Sequence, residues 1–230
     1  MTYSIEVFKS WGLDVILGKN LLNVSHQFAG TDDERLSDFQ QALDDPTIRA
    51  IICARGGYGT VRIIDKLLFD KFLNAPKWVV GYSDITVLHS HLHTNCNVAS
   101  LHATMPINFP NNSTEAIESL RKALFGEHLS YECLAHPLDR KGLASGQVVG
   151  GNLSMLHTLS GTPSDIDIKG KILFIEDLDE YLYHIDRMMR QLQRSGKLAR
   201  LVGLVVGCFT KMRDNEVPFG KTVEEIIIEA

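Results

Sequence analysis

A serine stands where an apolar run gives way to a helix-like stretch. Ser83 lies in the sequence Gly-Tyr-Ser-Asp, directly after Trp-Val-Val. A tight turn at such a junction can lift a serine above a sheet and make it a nucleophile. The N–H groups of the helix start could then stabilise the oxyanion formed when the serine attacks a carbonyl. A serine at this place is also a common helix N-cap, and Ile85 replaces the second glycine of the usual Gly-x-Ser-x-Gly pattern. The local pattern leaves both interpretations open.

A glycine-rich segment, Arg-Gly-Gly-Tyr-Gly at residues 55–59, lies between another apolar run and another helix-like run. It lacks the lysine of a P-loop and the Gly-x-Gly-x-x-Gly spacing, so it is a poor phosphate cradle. Its glycines could offer N–H groups to a substrate, and Arg55 could pair with a carboxylate. Taken alone, the segment favours a plain turn.

Carboxylates follow a third apolar run, at 172–175. Five of them occur within eleven residues: Glu176, Asp177, Asp179, Glu180 and Asp186. Glu176 and Asp177 come first, at the carboxyl end of the predicted strand. A carboxylate at that place could orient a catalytic histidine. The alternative is a solvated acidic loop.

Three histidines alternate at positions 89, 91 and 93. On a helix, His89 and His93 would share a face while His91 points elsewhere. Two helical histidines without a third nearby ligand make a weak zinc site. The sequence therefore predicts no metal and no cofactor.

Apolar runs that predict strands alternate with amphipathic stretches that predict helices. In the first half, strands are predicted at 14–18, 49–54, 77–83 and 98–103. Helices are predicted there at 32–45, 59–74, 84–95 and 113–126. After a loop-rich stretch at 129–153, strands at 170–177 and 201–209 enclose a helix at 183–197.

This alternation predicts an α/β fold with a parallel sheet covered on both faces. Ligands bind such sheets at the carboxyl ends of the strands, where the glycine-rich segment and Ser83 both lie. The texture changes after residue 127, which indicates a second, smaller domain. We expect a nucleophile domain at 1–128, a linker at 129–140 and an incomplete C-terminal domain at 141–230.

The composition of the 230 residues limits the classes of partner that the protein is expected to bind. The net charge of −5 offers no basic surplus for a nucleic-acid backbone. No apolar run approaches the roughly 20 residues that span a membrane, and the N-terminus lacks the features of a signal peptide. Four scattered cysteines without a Cys-x-x-Cys pair are typical of reduced cytosolic thiols. The prediction is a cytoplasmic protein that binds neither nucleic acid nor membrane.

Several motifs resemble one family in order and spacing. Residues 29–93, with Arg-Gly-Gly-Tyr-Gly and Gly-Tyr-Ser-Asp, resemble the N-terminal domain of the LD-carboxypeptidases. Residues 146–163 and 170–196, with Gly-Gly-Asn-Leu, Glu-Asp and Ile-Asp-Arg, resemble the C-terminal domain. This family of serine peptidases also contains the microcin-immunity carboxypeptidases.

The resemblance implies a Rossmann-like N-terminal sheet, similar to that of class I glutamine amidotransferases, and a smaller swivelling C-terminal β/α domain. It implies a homodimer that uses a metal-free Ser-His-Glu triad. The implied reaction is hydrolysis of the amide between an L-centre and a terminal D-amino acid. The usual substrate is murein tetrapeptide, from which D-alanine is released during cell-wall recycling.

The resemblance also implies residue roles. Ser83 falls on the nucleophile and Glu176 on the carboxylate of the triad. The backbone N–H groups of Asp84 and Gly57 fall on the oxyanion hole. Neighbouring residues are expected to bind the substrate, namely Arg55, Gly56 and Tyr82.

Two departures from the family pattern bear on activity. Family members begin with a strand upstream of the region that contains Met1 here, and their catalytic histidine lies in a segment beyond residue 230. None of the nine histidines falls on that position, and His102 matches a family position that is not the base. Since a serine without a base is a poor nucleophile, we expect a fragment truncated at both ends and impaired on its own.

Three alternatives stay open. A microcin-immunity-type hydrolase would act on a peptidyl nucleotide. A catalytically dead peptide-binding fragment would hold a carboxylate in the glycine loops without cleavage. A nucleotide-binding α/β domain is disfavoured by the missing P-loop lysine.

Overall fold

The structure, a computed structural model, describes all 230 residues. It divides into two compact units, Met1–Ser130 and Tyr131–Ala230. Each unit is an α/β structure with one three-stranded parallel sheet. The predicted α/β class with parallel sheets is therefore confirmed, whereas the bounds of the two domains and of their linker stay a prediction.

The first unit follows the predicted alternation of strands and helices. Its elements are α1 (Thr2–Ser10), α2 (Asp32–Asp44), β1 (Ala50–Ile52), α3 (Asp70–Asn74), β2 (Trp78–Gly81), α4 (Thr86–His91), β3 (Leu101–His102) and α5 (Thr114–Leu124). The strand order is β1-β2-β3, so β2 is central. Val79 and Val80 of β2 are fully buried, as expected for the middle strand of a parallel sheet covered on both faces.

Two predicted elements of this unit are wrong. Residues 14–18 form no strand, and their apolar side chains Ile16 and Leu17 are exposed. Residues 59–74 are not one helix but two 3-10 turns followed by α3. Four β-branched side chains, at 60, 61, 63 and 64, weaken a helix there, and Leu67 adopts an extended conformation before α3.

The second unit contains more regular structure than predicted. Its elements are β4 (Val148–Asn152), α6 (Leu153–Leu159), β5 (Ile172–Leu178), α7 (Leu182–Arg194), β6 (Gly203–Thr210) and α8 (Val223–Glu229). The strand order is β4-β5-β6, all parallel. β4 lies inside the stretch predicted as loop-rich. The sequence did not predict this strand because its two central glycines hide the strand pattern.

Alternation along β5 separates two chemical environments. Leu173 and Ile175 point into a core that also contains Met188 and Met189 of α7, and all four are almost fully buried. Phe174 and Glu176 are only half-buried and lie on the opposite face. Glu176 therefore lies on the face of the sheet opposite to the apolar core.

None of the helices in the chain has both the length and the apolar character needed to cross a membrane.

A buried lysine side chain donates hydrogen bonds to backbone carbonyls at the C-terminal end of α2. Lys77 is only 5% exposed, and its Nζ donates to the carbonyls of Ala42, Leu43 and Asp45 at distances of 2.9, 3.0 and 2.6 Å. The carbonyls of Ala42 and Leu43 lie in the last turn of the helix and have no partner within it. The carbonyl of Asp45, the residue after the helix, also accepts from the Ile48 N–H, at 3.3 Å. The ammonium group therefore links the end of α2 to the residue that precedes β2, although burial lowers its pKa.

We predict that Lys77→Met destabilises the first unit by about 2–3 kcal/mol, because the carbonyls of Ala42 and Leu43 lose a charge-assisted donor worth about 1.5–3 kcal/mol each, while the cost of burying the ammonium charge is removed. The measurement is urea unfolding followed by tryptophan fluorescence, since both tryptophans, Trp11 and Trp78, lie in this unit. Lys71→Met is the control. Lys71 pairs with Asp44 at the same helix end but is 68% exposed, so its loss should cost less than about 0.5 kcal/mol. Equal effects of the two substitutions would contradict the prediction.

Candidate active site

Ser83 has a strained backbone at the end of β2. Its φ is +64°, a left-handed value that is uncommon for a residue with a Cβ and costs about 1–3 kcal/mol. The strand ends at Gly81, Tyr82 is extended, and a 3-10 turn begins at Ser83. This strand-turn-helix geometry is that of a nucleophile elbow.

The capping interpretation of Ser83 is wrong. The N-cap position of the helical turn is Tyr82, and no side chain caps it. The Ser83 side chain is half-buried, and its Oγ has no hydrogen bond within the first unit. The hydroxyl is therefore free to react.

The helix that follows offers donors beside Ser83. The 3-10 turn Ser83–Ile85 continues into α4 and then into a π-helical turn, Leu92–Cys96. The N–H groups of the first turn, including that of Asp84, have no acceptor within the helix. They give this end of the helix a partial positive charge, which suits a developing oxyanion.

The glycine-rich segment lies against Ser83. A Cβ on Gly56 would come within 3.0 Å of Ser83 Cβ and 3.2 Å of its Oγ, so a larger residue here would have to displace the serine side chain by a few tenths of an ångström. Gly57 has a φ of +141° with open space around it, and its N–H has no acceptor within the first unit. The segment is therefore a wall beside Ser83 with a free donor, and not only a turn.

A buried carboxylate joins the two donor segments. Asp84 is 5% exposed, and its Oδ2 accepts hydrogen bonds from the N–H and the Oγ1 of Thr60, at 2.9 and 2.7 Å. Thr60 directly follows the glycine-rich segment. The Asp84 side chain thus fixes that segment relative to the helix start, while its backbone N–H lies in the first turn.

Arg55 and Tyr82 flank this region differently. Arg55 is exposed, and its Nε donates to the carbonyl of Gly56 at 3.1 Å, while no carboxylate of the unit pairs with its guanidinium. Tyr82 accepts a hydrogen bond from Asn108 Nδ2. It lines an open pocket of about 400 Å³ with His102, Ala103, Thr104, Asn108, Asn111 and Asn112. Arg55 is thus available to a substrate carboxylate, whereas the hydroxyl of Tyr82 is already engaged.

Glu176 in the second unit has an unsatisfied carboxylate oxygen. Its Oε1 is buried without a hydrogen-bond partner. On the neighbouring strand, a Cβ on Gly207 would lie 2.9 Å from the Phe174 ring and 3.2 Å from Glu176 Cβ, so the glycine makes room for both side chains on this face of the sheet. Burial, and then the charge of Asp177, raise the pKa of Glu176 to about 7, although a hydrogen bond from Asn152 opposes the shift. The carboxyl group is poised to gain an N–H partner.

Asp177, the next residue, is fully engaged. Its carboxylate accepts from the N–H and the Oγ of Ser154 at 2.9 and 2.8 Å. It also accepts from Asn152 Nδ2 and from the Leu178 N–H, both at 2.8 Å. Burial still raises its pKa. Asp177 therefore anchors the start of α6, and only Glu176 of this pair has a free oxygen.

Ser154, Glu180 and His184 form a polar cluster in the second unit that the sequence did not predict. Glu180 Oε2 lies 2.6 Å from His184 Nδ1, and Glu180 Oε1 lies 3.1 Å from Ser154 Oγ, whose single proton is shared with Asp177. The spacing of four residues between Glu180 and His184 on α7 could have indicated this pair. Nothing in the sequence linked it to Ser154, which lies 26 residues from Glu180.

The alternating histidines do not share one environment. His89 is buried, with both ring nitrogens hydrogen-bonded to atoms of the protein, while His91 stacks on Phe69. No group of three or more histidine, cysteine, aspartate or glutamate side chains in the chain is arranged to hold a metal ion.

Comparison with known proteins identifies the family. Residues 1–103 match the LD-carboxypeptidase N-terminal domain, and residues 145–230 match the LD-carboxypeptidase C-terminal domain. The chain belongs to the LD-carboxypeptidase family. The family predicted from the motifs is therefore confirmed.

Two relatives of this LD-carboxypeptidase have informative names. A "probable murein peptide carboxypeptidase" of Bacillus subtilis is 40% identical over 230 residues, which cover 95% of this chain and 72% of the relative. The "murein tetrapeptide carboxypeptidase" of Pseudomonas aeruginosa is 31% identical over 219 residues, covering 90% and 70%.

Solved structures share the fold of the LD-carboxypeptidase chain. The crystal structure of a muramoyltetrapeptide carboxypeptidase from Oxalobacter formigenes matches with a TM-score of 0.80 and 28% identity, covering 99% of this chain and 78% of that one. The microcin C7 self-immunity protein MccF matches with a TM-score of 0.84, covering 98% and 76%. Its identity of 20% supports a shared fold and nothing more.

We predict that Gly56→Ala slows the reaction of Ser83 with a fluorophosphonate about 100-fold, because the new Cβ displaces the serine and small displacements at a reacting atom have effects of this size. Labelling is followed by intact mass. Gly142→Ala is the control, since neither Gly56 nor Gly142 has a positive φ and a Cβ on Gly142 would meet open space. It should label at the rate of the unsubstituted chain, and equally fast labelling of Gly56→Ala would refute the prediction.

The pKa of Glu176 predicts a pH dependence of stability. The folded-state pKa of about 7 lies above 4.5, the ordinary pKa of a glutamate side chain, so at pH values between the two the folded state holds a proton that the unfolded state has lost. The second unit should therefore lose stability as the pH rises from 4.5 to 7. Glu176→Gln should remove this contribution.

The buried methyl groups of Met188 and Met189 report folding of the second unit. Their NMR signals in urea series at pH 4.5 and pH 7.5 measure its stability. The exposed Glu132→Gln variant serves as control and should keep the dependence of the unsubstituted chain. An identical pH dependence in Glu176→Gln would show that Glu176 is not its source.

Proposed function

We propose that this LD-carboxypeptidase family member hydrolyses the amide between an L-centre and a C-terminal D-amino acid, with murein tetrapeptide as substrate and D-alanine as product. The observation that carries the proposal is the left-handed Ser83 at the end of β2, with the glycine-rich segment against its side chain. The names of the relatives from Bacillus subtilis and Pseudomonas aeruginosa support the substrate class.

The reaction assigns one role to each group of the first unit. Ser83 Oγ attacks the carbonyl carbon of the scissile amide as its proton passes to a general base. The negative charge that develops on the carbonyl oxygen is stabilised by the N–H groups of Asp84 and Gly57. The C–N bond then breaks, the departing amine takes the proton, and water hydrolyses the resulting ester.

Substrate binding is assigned to the free guanidinium of Arg55. A C-terminal D-amino acid carries a carboxylate, which an arginine binds with charge-assisted, often paired hydrogen bonds. Gly56 and Tyr82 complete the proposed substrate-binding set through close backbone approach and through the tyrosine ring.

Glu176 is assigned the carboxylate that orients the general base. Its buried, unpartnered Oε1 and raised pKa suit a carboxylate that gains an imidazole N–H. The family resemblance assigns the base itself to none of the nine histidines of these 230 residues. The homodimer implied by the resemblance and the cytoplasmic location indicated by the sequence stay predictions.

The two other candidate functions have less support. A hydrolase of peptidyl nucleotides would share the serine, and the likeness to MccF supports its fold only. A peptide-binding protein without catalysis would not need a strained serine with a free hydroxyl.

The decisive experiment is a D-alanine release assay with murein tetrapeptide. We expect release that Ser83→Ala abolishes and that Ser10→Ala, an exposed serine of the same unit, leaves unchanged. Parallel reactions with added imidazole identify the source of the base. Release without imidazole assigns the base to this chain, and release only with imidazole assigns it elsewhere. No release under either condition, or release that persists in Ser83→Ala, would refute the proposed function.

A further inference from the structure

A buried histidine touches the strand that carries Ser83. His89 lies on α4, six residues after the serine, and is only 7% exposed. Its Nε2 is 2.8 Å from the carbonyl oxygen of Gly81, and its Nδ1 is 2.8 Å from Ser100 Oγ. Both ring nitrogens are thus occupied, so His89 is not available as a base for the serine.

The partners fix the tautomer of this ring. A carbonyl oxygen can only accept, so Nε2 must carry the proton that it shares with Gly81. Nδ1 then accepts from the hydroxyl of Ser100. Burial lowers the pKa of His89 to about 4, which is consistent with a neutral ring that keeps this arrangement at neutral pH.

Gly81 is the last residue of β2 and precedes Ser83 by two positions. Its carbonyl also accepts from the Ala103 N–H, at 3.1 Å, beyond the end of β3. A Cβ on Gly81 would lie 2.8 Å from Ile85 Cγ1, so the isoleucine packs directly on its backbone. The neighbouring strand and the helix therefore hold Gly81 from different directions.

This restraint matters because the conformation of Ser83 is strained. A left-handed residue persists only where its surroundings over-determine it. Rotation of the peptide units between Gly81 and Ser83 would relieve the strain and turn the hydroxyl away from Gly56. The hydrogen bond from His89 opposes that rotation at the carbonyl of Gly81.

We propose that His89 is a positioning residue, whose Nε2–H holds the carbonyl of Gly81 and thereby keeps Ser83 in its reactive geometry. The role assigned to Ser83 rests on the proposed function. The alternative is a histidine that only fills space in the core, for which the donor at Nε2 would be unimportant.

Three variants separate these roles. His89→Gln can place an amide donor where Nε2 lies, whereas the shorter His89→Asn reaches only toward Ser100. Ser100→Ala removes the other hydrogen bond of the ring and leaves the bond to Gly81 intact. All are made in the full chain, and tryptophan fluorescence from Trp11 and Trp78 checks that the first unit is folded.

The first readout is the kinetics of D-alanine release. We expect His89→Asn to lower kcat at least about 10-fold with KM within about 2-fold, because the reacting atom is displaced while substrate binding is not. His89→Gln should recover most of kcat, and Ser100→Ala should stay close to the unsubstituted chain. Equal losses in His89→Asn and His89→Gln, no loss in His89→Asn, or an equal loss in Ser100→Ala would overturn the proposal.

The second readout does not depend on activity. In ¹⁵N-labelled chain, the backbone amide signals of Ser83 and Asp84 should shift in His89→Asn and stay near their original positions in His89→Gln and Ser100→Ala. Unmoved signals in His89→Asn would refute the positioning role even if the chain releases D-alanine. Shifted signals in a chain without turnover would support the role while the proposed function fails. If His89→Asn does not fold, His89→Met, which has no donor, replaces it with the same expectations.

Discussion

The left-handed backbone of Ser83 is the constraint on which the rest of the first unit depends. A residue with a Cβ adopts a φ of +64° only when its neighbours hold it there. Here the restraint has three parts: the backbone of Gly56 against the serine side chain, the carboxylate of Asp84 on Thr60, and the packing of Ile85 on Gly81. Gly56 and Thr60 follow β1, whereas Asp84 and Ile85 follow β2 together with Ser83, and the parallel pairing of β1 with β2 brings these two segments to the same edge of the sheet.

The alternation of side chains along β5 gives two neighbouring carboxylates of the second unit different roles. Glu176 and Asp177 are adjacent in sequence, yet β5 points them to opposite faces. Asp177 meets the start of α6 and accepts four hydrogen bonds, so its negative charge is compensated locally. Glu176 keeps one buried oxygen without a partner, and its pKa rises to about 7. The two carboxyl groups are chemically alike but differ in role because they are adjacent on a strand. Asp177 is structural, whereas Glu176 is poised for chemistry.

Local patterns in the sequence predicted what local forces determine. The central strand β2 and the helices α2 and α7 followed from local sequence patterns, and in the structure Thr31 and Glu34 form a capping box at the start of α2. The errors have local and tertiary causes. Residues 59–74 break into turns because β-branched side chains weaken a helix there and because Asp84, 24 positions away, holds Thr60. The strand β4 was not predicted because its glycines suppress the strand pattern. The motifs identified Ser83 and Glu176 as candidates, but the clamp on Thr60, the orphan oxygen of Glu176 and the bond from His89 to Gly81 join residues too distant in sequence to be read from it.

The isoleucine at position 85 illustrates how a departure from a motif can leave its geometry intact. In the Gly-x-Ser-x-Gly pattern, small residues on both sides of the serine leave room for a sharp turn between strand and helix. What the turn requires is that these two positions do not collide. Because Gly81 has no side chain, it alone provides the space that the turn requires. A Cβ on Gly81 would lie 2.8 Å from Ile85 Cγ1, so the isoleucine side chain fills this space. The missing second glycine is therefore no argument against a nucleophile elbow. It adds an apolar contact that stiffens the turn, because Ile85 is almost fully buried and any relaxation of Ser83 would have to move Gly81 across it.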